Sequence, residues 1–207
     1  MKKILFIVLV LISSIASAES ERYVNINFGT GGMETPRPDL NDNPGGYEYR
    51  GVLGRLSAGY LLGDDMLLVG GEVGYAKYAD NKLWFGNNES DSLTFKGYDV
   101  DLLAVAQWRF DSYLNFKAKG GFDYVYQESV ANGLMNPGLE KSHGKIFPEI
   151  ALSTEYAFES GFTINAAYHY VYGDNPDAVT GLADQNAAGV NKIASVVMLT
   201  AGVGYRF

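Results

Sequence analysis

The sequence has 207 residues, with 16 Lys and Arg against 24 Asp and Glu, a net charge of −8, 25 Gly, 15 Tyr, 11 Phe and no Cys. A composition that is 47% hydrophobic can bury the core of one domain or at most two, which excludes bulk disorder. The acidic charge repels phosphate, so nucleic acid is not an expected partner, and the absence of Cys excludes disulfides, thiolate metal sites and Cys nucleophiles.

Residues 1–18 have the features of a secretory signal peptide. Two lysines near the start precede an apolar run over residues 4–12, and the Ala-Ser-Ala triplet at 16–18 supplies the small residues that a signal peptidase requires. The apolar run is shorter than the roughly 20 residues of a membrane-spanning helix, which argues against an anchor. We therefore predict cleavage at the end of this triplet, export from the cytoplasm, and a mature domain of residues 19–207.

Eight later segments alternate apolar and polar residues with a period of two, the pattern of β-strands that have one apolar face. In the fourth segment, for example, Val100 and Leu102 flank Asp101. A helix would scatter such charges around its axis. The predicted strands span residues 23–28, 52–62, 67–76, 98–110, 114–127, 146–156, 162–170 and 197–207.

Connections between these segments alternate in length. Tight turns rich in Gly, Asp and Ser are predicted at residues 63–65, 111–112 and 159–161. Long polar loops are predicted at residues 30–50, 80–93, 128–144 and 173–191. Short turns at one end and long loops at the other are typical of outer-membrane barrels. The sequence therefore predicts an all-β fold, an eight-stranded antiparallel up-and-down transmembrane β-barrel.

Charged side chains on these strands are expected inside the barrel. An Arg or Lys on the lipid face near the bilayer midplane costs about 2 to 4 kcal/mol, so the apolar face must contact lipid. An eight-stranded barrel is just wide enough for its side chains to fill the interior, and buried charges require partners. We predict a plugged lumen with a charge network of six acidic and five basic residues, which are Glu72, Asp99, Asp101, Asp123, Glu149, Glu155, Arg55, Arg109, Lys117, Lys119 and Arg206.

A water-soluble barrel with a ligand cavity is the alternative, and in it the apolar faces would point inward. That arrangement would enclose long apolar faces around a narrow lumen and leave six acids outside. The membrane barrel is therefore the favoured interpretation.

The chain ends in LTAGVGYRF, in which apolar residues alternate before a final aromatic residue. This ending resembles the carboxy-terminal signal that the barrel assembly machinery reads, carried here by Leu199, Ala201, Val203, Tyr205 and Phe207. The whole chain resembles the small eight-stranded barrels of Gram-negative bacteria, the group of the OmpA transmembrane domain, OmpX and the opacity proteins. The resemblance implies a location in the cell outer membrane, surrounding lipopolysaccharide, and assembly by periplasmic chaperones and the barrel assembly machinery.

Pro148 departs from the regular strand pattern. Proline has no backbone N–H and removes one donor from the hydrogen-bond ladder. We therefore expect a bulge or a late strand start at this position.

No catalytic, cofactor-binding or metal site is predicted. One lipid A deacylase type among barrels of this size uses a His and a Ser close together on a strand, but His169 is followed here by Tyr170 and Val171. We therefore expect His169 to be a structural residue that faces the lumen. His143 lies beside Ser142 in a predicted loop, where a histidine is usually solvated.

Two functions remain open. The first is a non-enzymatic outer-membrane surface protein whose long loops bind an extracellular or host partner, for adhesion and membrane integrity, on a rigid barrel. The second is a small porin-like channel or a barrel that handles lipid or hydrophobic solutes. It is suggested by Gly74, Gly121, Gly202 and Gly204, which could leave gaps in the lumen.

Overall fold

The computed structural model describes residues 19–34, 46–84, 92–132, 139–174 and 192–207. These residues contain ten strands in one antiparallel sheet: β1 (Glu19–Met33), β2 (Gly46–Arg50), β3 (Leu53–Gly63), β4 (Leu67–Lys77), β5 (Asp80–Trp84), β6 (Ser92–Arg109), β7 (Leu114–Asn132), β8 (Leu139–Ala157), β9 (Phe162–Val171) and β10 (Val196–Arg206). Across these ranges no helix has the length and hydropathy needed to cross a membrane. The predicted signal peptide lies outside the described residues, so its cleavage stays a prediction.

Eight of the ten strands close into a barrel. Neighbours pair antiparallel in the order β1, β3, β4, β6, β7, β8, β9 and β10, and β10 pairs back onto β1. The contact between the first and last strands runs over eleven residue pairs, from Tyr23 with Arg206 to Met33 with Val196. The predicted eight-stranded antiparallel barrel is confirmed.

Alternation along each strand decides which side chains point inward. On β9, Thr163 and Val171 are buried inside the barrel, whereas Phe162 and Ile164 are 60% and 54% exposed on the outside. The other barrel strands repeat this arrangement, with apolar side chains outward and most polar side chains inward. The interior and exterior therefore have the reverse of the polarity found in a water-soluble protein.

The turns at the short-turn end are closed by local hydrogen bonds. Asp64 Oδ1 accepts from the backbone N–H of Leu67 and Met66, at 2.8 and 3.1 Å, and these bonds hold the pKa of Asp64 below its usual value. Asp111 binds Leu114 and Tyr113 in the same way, at 2.6 and 2.7 Å, and its pKa is also lowered. The turn between β8 and β9 instead uses Gly161 at φ 87°, a conformation that L side chains rarely adopt.

At the opposite end the structure corrects the predicted loops. β6, β7 and β8 have 18, 19 and 19 residues, so much of the predicted loop at 128–144 is a continued β-hairpin. The predicted loops at 80–93 and 30–50 contain β5 and β2, and β1 runs on to Met33. The prediction failed here because it required one apolar face, and a hairpin outside the bilayer forms its backbone hydrogen bonds without one. The rest of these loops lies outside the described residues.

The expected bulge at Pro148 is absent. Pairing of β8 with β7 continues without interruption, with Phe122 opposite Pro148 and Gly121 opposite Glu149. The carbonyl of Pro148 accepts from the N–H of Tyr172 at 3.0 Å, so its backbone polar groups face the β9 side of the strand. The N–H that Pro148 lacks would have pointed toward Tyr172, just beyond the end of β9. The hydrogen-bond ladder between β7 and β8 therefore remains intact.

Candidate functional site

The lumen of the barrel holds the chemistry-bearing side chains of the described residues. The structure places all eleven predicted network residues on its inward face, most of them buried. It also brings in Glu21, Tyr23 and Tyr78, which are not members of the predicted network. With Glu21 included, these lumen residues comprise seven acidic and five basic side chains.

At the short-turn end, two carboxylates hold three cations. Glu21 Oε2 lies 2.8 Å from Arg109 Nη2 and 3.3 Å from Arg206 Nη1. Glu155 pairs with Arg206 and, at 3.0 Å, with Lys117 Nζ. The two acidic groups thus link β1, β6, β7, β8 and β10 across the lumen.

In the middle of the lumen, Glu72 is the shared acceptor. Its oxygens lie 3.0 Å from Arg55 Nη2 and 2.7 Å from Lys119 Nζ, and it accepts a 2.7 Å hydrogen bond from the Tyr23 hydroxyl. Arg55 also pairs with Asp101 at 2.8 Å. Each of these side chains is at least nine-tenths buried, so their ion pairs are shielded from water and salt.

Nearer the long-loop end, the lumen is acid-rich. We call Asp99, Asp101, Asp123 and Glu149 the acidic level; Asp101 and Asp123 lie directly opposite each other on β6 and β7. Asp99 accepts from the Tyr78 hydroxyl at 2.5 Å, and Glu149 Oε1 lies 2.7 Å from His169 Nδ1. Within the described ranges, neither carboxylate oxygen of the fully buried Asp123 has a hydrogen-bond partner.

The wall formed by β1, β9 and β10 is mostly uncharged. Asn27 donates to Asn165, and Asn165 donates to Asn25 at 3.4 Å. The Thr200 hydroxyl donates to the Ala167 carbonyl at 3.5 Å. Glu21 and Arg206 are the charged exceptions, both near the short-turn end.

Above the acidic level the lumen is filled mainly by apolar side chains, with the buried Gln127 among them. Every barrel strand contributes at least one buried apolar side chain here, and together with Tyr78, Ile193 and Ala194 they form a cluster that we call the apolar cap: Met33, Leu53, Ala76, Phe95, Val125, Phe147, Val171, Val196 and Met198. The predicted charge network therefore occupies only the part of the lumen nearer the short-turn end. Apolar residues on both faces of a strand, as in Ile146 and Phe147, were the sequence signal for this cap.

The glycines that suggested gaps in the lumen leave none. A Cβ added at Gly74 would strike the Arg55 guanidinium and the Asp101 carboxylate, and one at Gly204 would strike Asn25 and Thr163. At Gly121 and Gly202 the backbone of the neighbouring strand occupies the same space. In so narrow a barrel a missing side chain is filled by its neighbours, and the expectation of gaps at these four glycines was wrong.

The two histidines lie on neighbouring strands. His169 is buried in the lumen beside Glu149. His143 lies in β8 rather than in a loop. In the described residues no group of three His, Cys, Asp or Glu has an arrangement that could hold a metal ion.

A closed barrel with an apolar exterior and a filled, charged lumen defines the class of integral outer-membrane β-barrel proteins. In agreement, the family model for the outer membrane protein beta-barrel domain matches residues 4–207. The chain belongs to this family and is a protein of the outer membrane of Gram-negative bacteria. The short-turn end therefore faces the periplasm and the long-loop end faces the outside.

Several solved barrels share this fold. Neisserial surface protein A is 18% identical, with 90% of this chain and 97% of that chain covered and a TM-score of 0.54. Ail, the attachment invasion locus protein of Yersinia pestis, is 16% identical over 91% and 99%, with a TM-score of 0.53. A major outer membrane protein from Thermus thermophilus is 15% identical over 91% and 100%, with a TM-score of 0.57. A comparison with curated protein sequences gave no match.

Proposed function

We propose that this protein is a non-enzymatic surface protein, whose extracellular strands and loops bind a partner outside the cell. The observation that carries the proposal is the one-sided extension of the barrel. About 9 to 11 residues are enough for a tilted strand to cross a bilayer, and β3, β4, β9 and β10 have 10 or 11. β6, β7 and β8 are seven to nine residues longer, roughly 25 Å at the usual rise per residue.

Two further strands widen this extension into a sheet. β5 pairs with the outer end of β6, from Asn81 with Phe95 to Trp84 with Ser92, and β2 pairs with β5. The sheet outside the barrel therefore has five strands, in the order β2, β5, β6, β7 and β8. A rigid scaffold of this kind is a common support for the loops that carry recognition.

Charge indicates the kind of partner. The four predicted loops contain 12 acidic and 4 basic residues. Such a surface attracts a partner that carries a basic patch, and this attraction weakens as salt is added. Ail has been solved in complex with the heparin analogue sucrose octasulfate. The acidic loops of this chain argue against a comparable polyanion here.

The test is to shorten the β7–β8 hairpin without disturbing the barrel. Glu128 and Ser142 are paired, so residues 129–141 can be replaced by an Asn-Gly turn. Bacteria that express the intact protein should adhere to an epithelial cell monolayer, and the shortened variant should adhere no better than cells without it. Heat-modifiable gel migration would show that the variant has folded.

The matched control places the same Asn-Gly dipeptide at Asp111 and Ser112, in a periplasmic turn, and should leave adherence unchanged. Full adherence by the shortened variant, or none by the intact protein, would contradict the proposal.

We also propose that β10 carries the signal read by the barrel assembly machinery, after delivery by periplasmic chaperones, and that lipopolysaccharide surrounds the outer leaflet part of the barrel. In support, Leu199, Ala201, Val203, Tyr205 and Phe207 all lie exposed on the outer face. Phe207→Ser should reduce the folded fraction in the outer membrane several-fold. Val197→Ser, at the other end of the same strand, is the control and should assemble normally.

A further inference from the structure

We propose that the outer ends of β4 and β6 form a binding site for a phosphate group of lipid A, the part of lipopolysaccharide that lies in the membrane. The inference rests on the proposal that lipopolysaccharide surrounds the outer leaflet part of the barrel, and it assigns that contact to particular side chains. Lys77 and Lys96, which we call the lysine pair, supply the charge. Tyr75, Tyr98 and Tyr126, which we call the tyrosine row, lie directly below them.

The lysine pair lies at the outer boundary of the lipid face. On β4 the outward residues below Lys77, from Leu67 to Tyr75, are all uncharged. On β6 the outward residues below Lys96 are uncharged as well. The nine residues from Leu67 to Tyr75 are about the number that a tilted strand needs to cross a bilayer. The first charge on each of these two lipid-facing strand surfaces therefore lies at the level of the outer headgroups.

The two lysines are close enough to bind one phosphate between them. Lys77 lies opposite Tyr98 in the β4–β6 ladder, and Lys96 is two residues further out on β6, on the same face. Diagonal neighbours of this kind are about 7 to 8 Å apart, which two long side chains can span. Both lysines are exposed, and neither forms an ion pair with another residue of the described ranges. Their charges are therefore available to a ligand.

The tyrosine row covers the surface just below the lysine pair. The ring centroid of Tyr98 lies 5.9 Å from that of Tyr75 and 5.0 Å from that of Tyr126, so the row crosses β4, β6 and β7. Tyr75 is 47% exposed on the lipid face. Tyrosine is enriched at membrane surfaces because its ring contacts lipid while its hydroxyl remains among the headgroups. The row thus marks the depth at which a lipid phosphate meets the lysines.

The neighbouring charges limit where the phosphate can lie. Glu128 is directly opposite Lys96 on β7, and its carboxylate repels an anion. The site therefore extends from Lys96 toward Lys77 and away from β7. Lys145, a cation of the same end on β8, is paired with Asp174 at 2.9 Å. Lysine binds phosphate as a point charge, so two unpaired lysines beside an apolar surface suit a phosphate that is itself anchored in the membrane.

The test compares lipid A that carries its phosphates with lipid A from which they have been removed. Purified protein in detergent micelles is titrated with each form, and native mass spectrometry counts the bound lipid molecules. The wild type should bind the phosphorylated form more tightly. Lys77→Gln combined with Lys96→Gln should weaken this binding roughly tenfold or more, in keeping with the effect of two cations at an anionic membrane surface.

Two controls separate the site from a general effect of charge. Lys145→Gln removes a cation of the same end that already has a partner, and it should leave the affinity unchanged. Lys77→Arg combined with Lys96→Arg keeps both charges and should retain binding. Glu128→Gln removes the repelling carboxylate and should tighten binding of the phosphorylated form. Heat-modifiable migration would show that each variant has folded, and the single glutamine variants replace the double variant if it does not fold.

The outcomes distinguish the site from the proposal on which it rests. Unchanged affinity in the double glutamine variant would overturn the site, and so would equal binding of phosphatidylglycerol and phosphorylated lipid A by the wild type. Equal binding of the two forms of lipid A would overturn recognition of the phosphate but leave a lipid A contact in place. If the wild type bound neither form, the surrounding lipopolysaccharide would itself be contradicted.

Discussion

The two walls of the lumen fill the interior of the barrel with different kinds of side chain. The wall of β3, β4, β6, β7 and β8 fills its side with ion pairs, such as Arg55 with Glu72, and with buried apolar side chains such as Leu68. The wall of β1, β9 and β10 fills its side chiefly with neutral amides and hydroxyls, such as Asn27 and Asn165, and with glycines. Both walls leave little empty space in the lumen. Only the wall of β3, β4, β6, β7 and β8 depends on buried charges that need a partner of opposite sign.

This difference predicts where the barrel is fragile. A buried ion pair contributes little net stability, yet removal of one partner leaves an uncompensated charge and is costly. A lost neutral hydrogen bond costs much less. The charged wall should therefore be sensitive to single substitutions that the uncharged wall tolerates.

The largest effect is expected at Arg55. Arg55→Met leaves Asp101 without its cation and Glu72 with one fewer, which should lower the free energy of unfolding by about 3 to 5 kcal/mol. Asn27→Ala on the opposite wall should cost about 1 kcal/mol. Urea unfolding in lipid vesicles would measure both, and equal losses would remove the distinction between the walls.

The next effect compares the lumen with the exterior. Leu102 is 69% exposed on the lipid face, so Leu102→Arg should cost about 2 to 4 kcal/mol and block assembly. Gln107 is buried inside the barrel, and its Nε2 lies 3.4 Å from both carboxylate oxygens of Glu21. An arginine at this position can therefore pair with the Glu21 carboxylate. Gln107→Arg should therefore assemble. Equal yields of the two variants in the outer membrane would contradict the assignment of faces.

A smaller effect is expected at Gly74, because a Cβ there would force apart Arg55 and Asp101. Gly74→Ala should destabilise the barrel by about 1 to 3 kcal/mol, the usual cost of overpacking. Gly71 on the same strand is the control, since its added Cβ would have only an ordinary contact of 3.7 Å with the Leu103 carbonyl. A loss of stability in Gly71→Ala as large as that in Gly74→Ala would show that strand propensity, not the ion pair, is responsible.

The smallest effect concerns the turns of the charged wall. The pKa of Asp111 is lowered by the N–H groups of Leu114 and Tyr113, so its stabilising effect is present above the ordinary pKa of an aspartate and is lost as pH falls through the lowered value. Asp111→Asn should lower the thermal midpoint slightly at pH 7 and not at pH 2. A difference between the two proteins that is the same at both pH values would show that the charge has no part in it.

The barrel could be predicted from the sequence because lipid imposes strict alternation on the strand centres. Val100 and Leu102 must face lipid, so Asp101 between them must face the lumen. The same alternation places the other strand charges inside. Which charges pair could not be predicted, because Arg55 and Asp101 belong to strands that are not adjacent, and they meet over Gly74 of the strand that lies between them.

The ends of the strands were predicted less well. Glu21 was missed because residues 19–22 have no apolar alternation, although they pair with β3. The apolar cap was missed because its members were assigned by period alone, and where both faces are apolar the period disappears. The burial of these side chains cannot be predicted from local sequence, because it depends on contacts with the opposite wall of the barrel rather than with neighbours in sequence.

The contact between β1 and β10 has a consequence for folding. Tyr23 and Arg206 are paired although 183 positions separate them in the sequence, so the loop that their pairing closes is almost the whole chain. Contacts of such long range form slowly, and a sheet without them has two exposed edges open to pairing with other chains. Every folding intermediate in which β10 is unpaired therefore exposes these two edges and needs protection from aggregation until β10 pairs with β1.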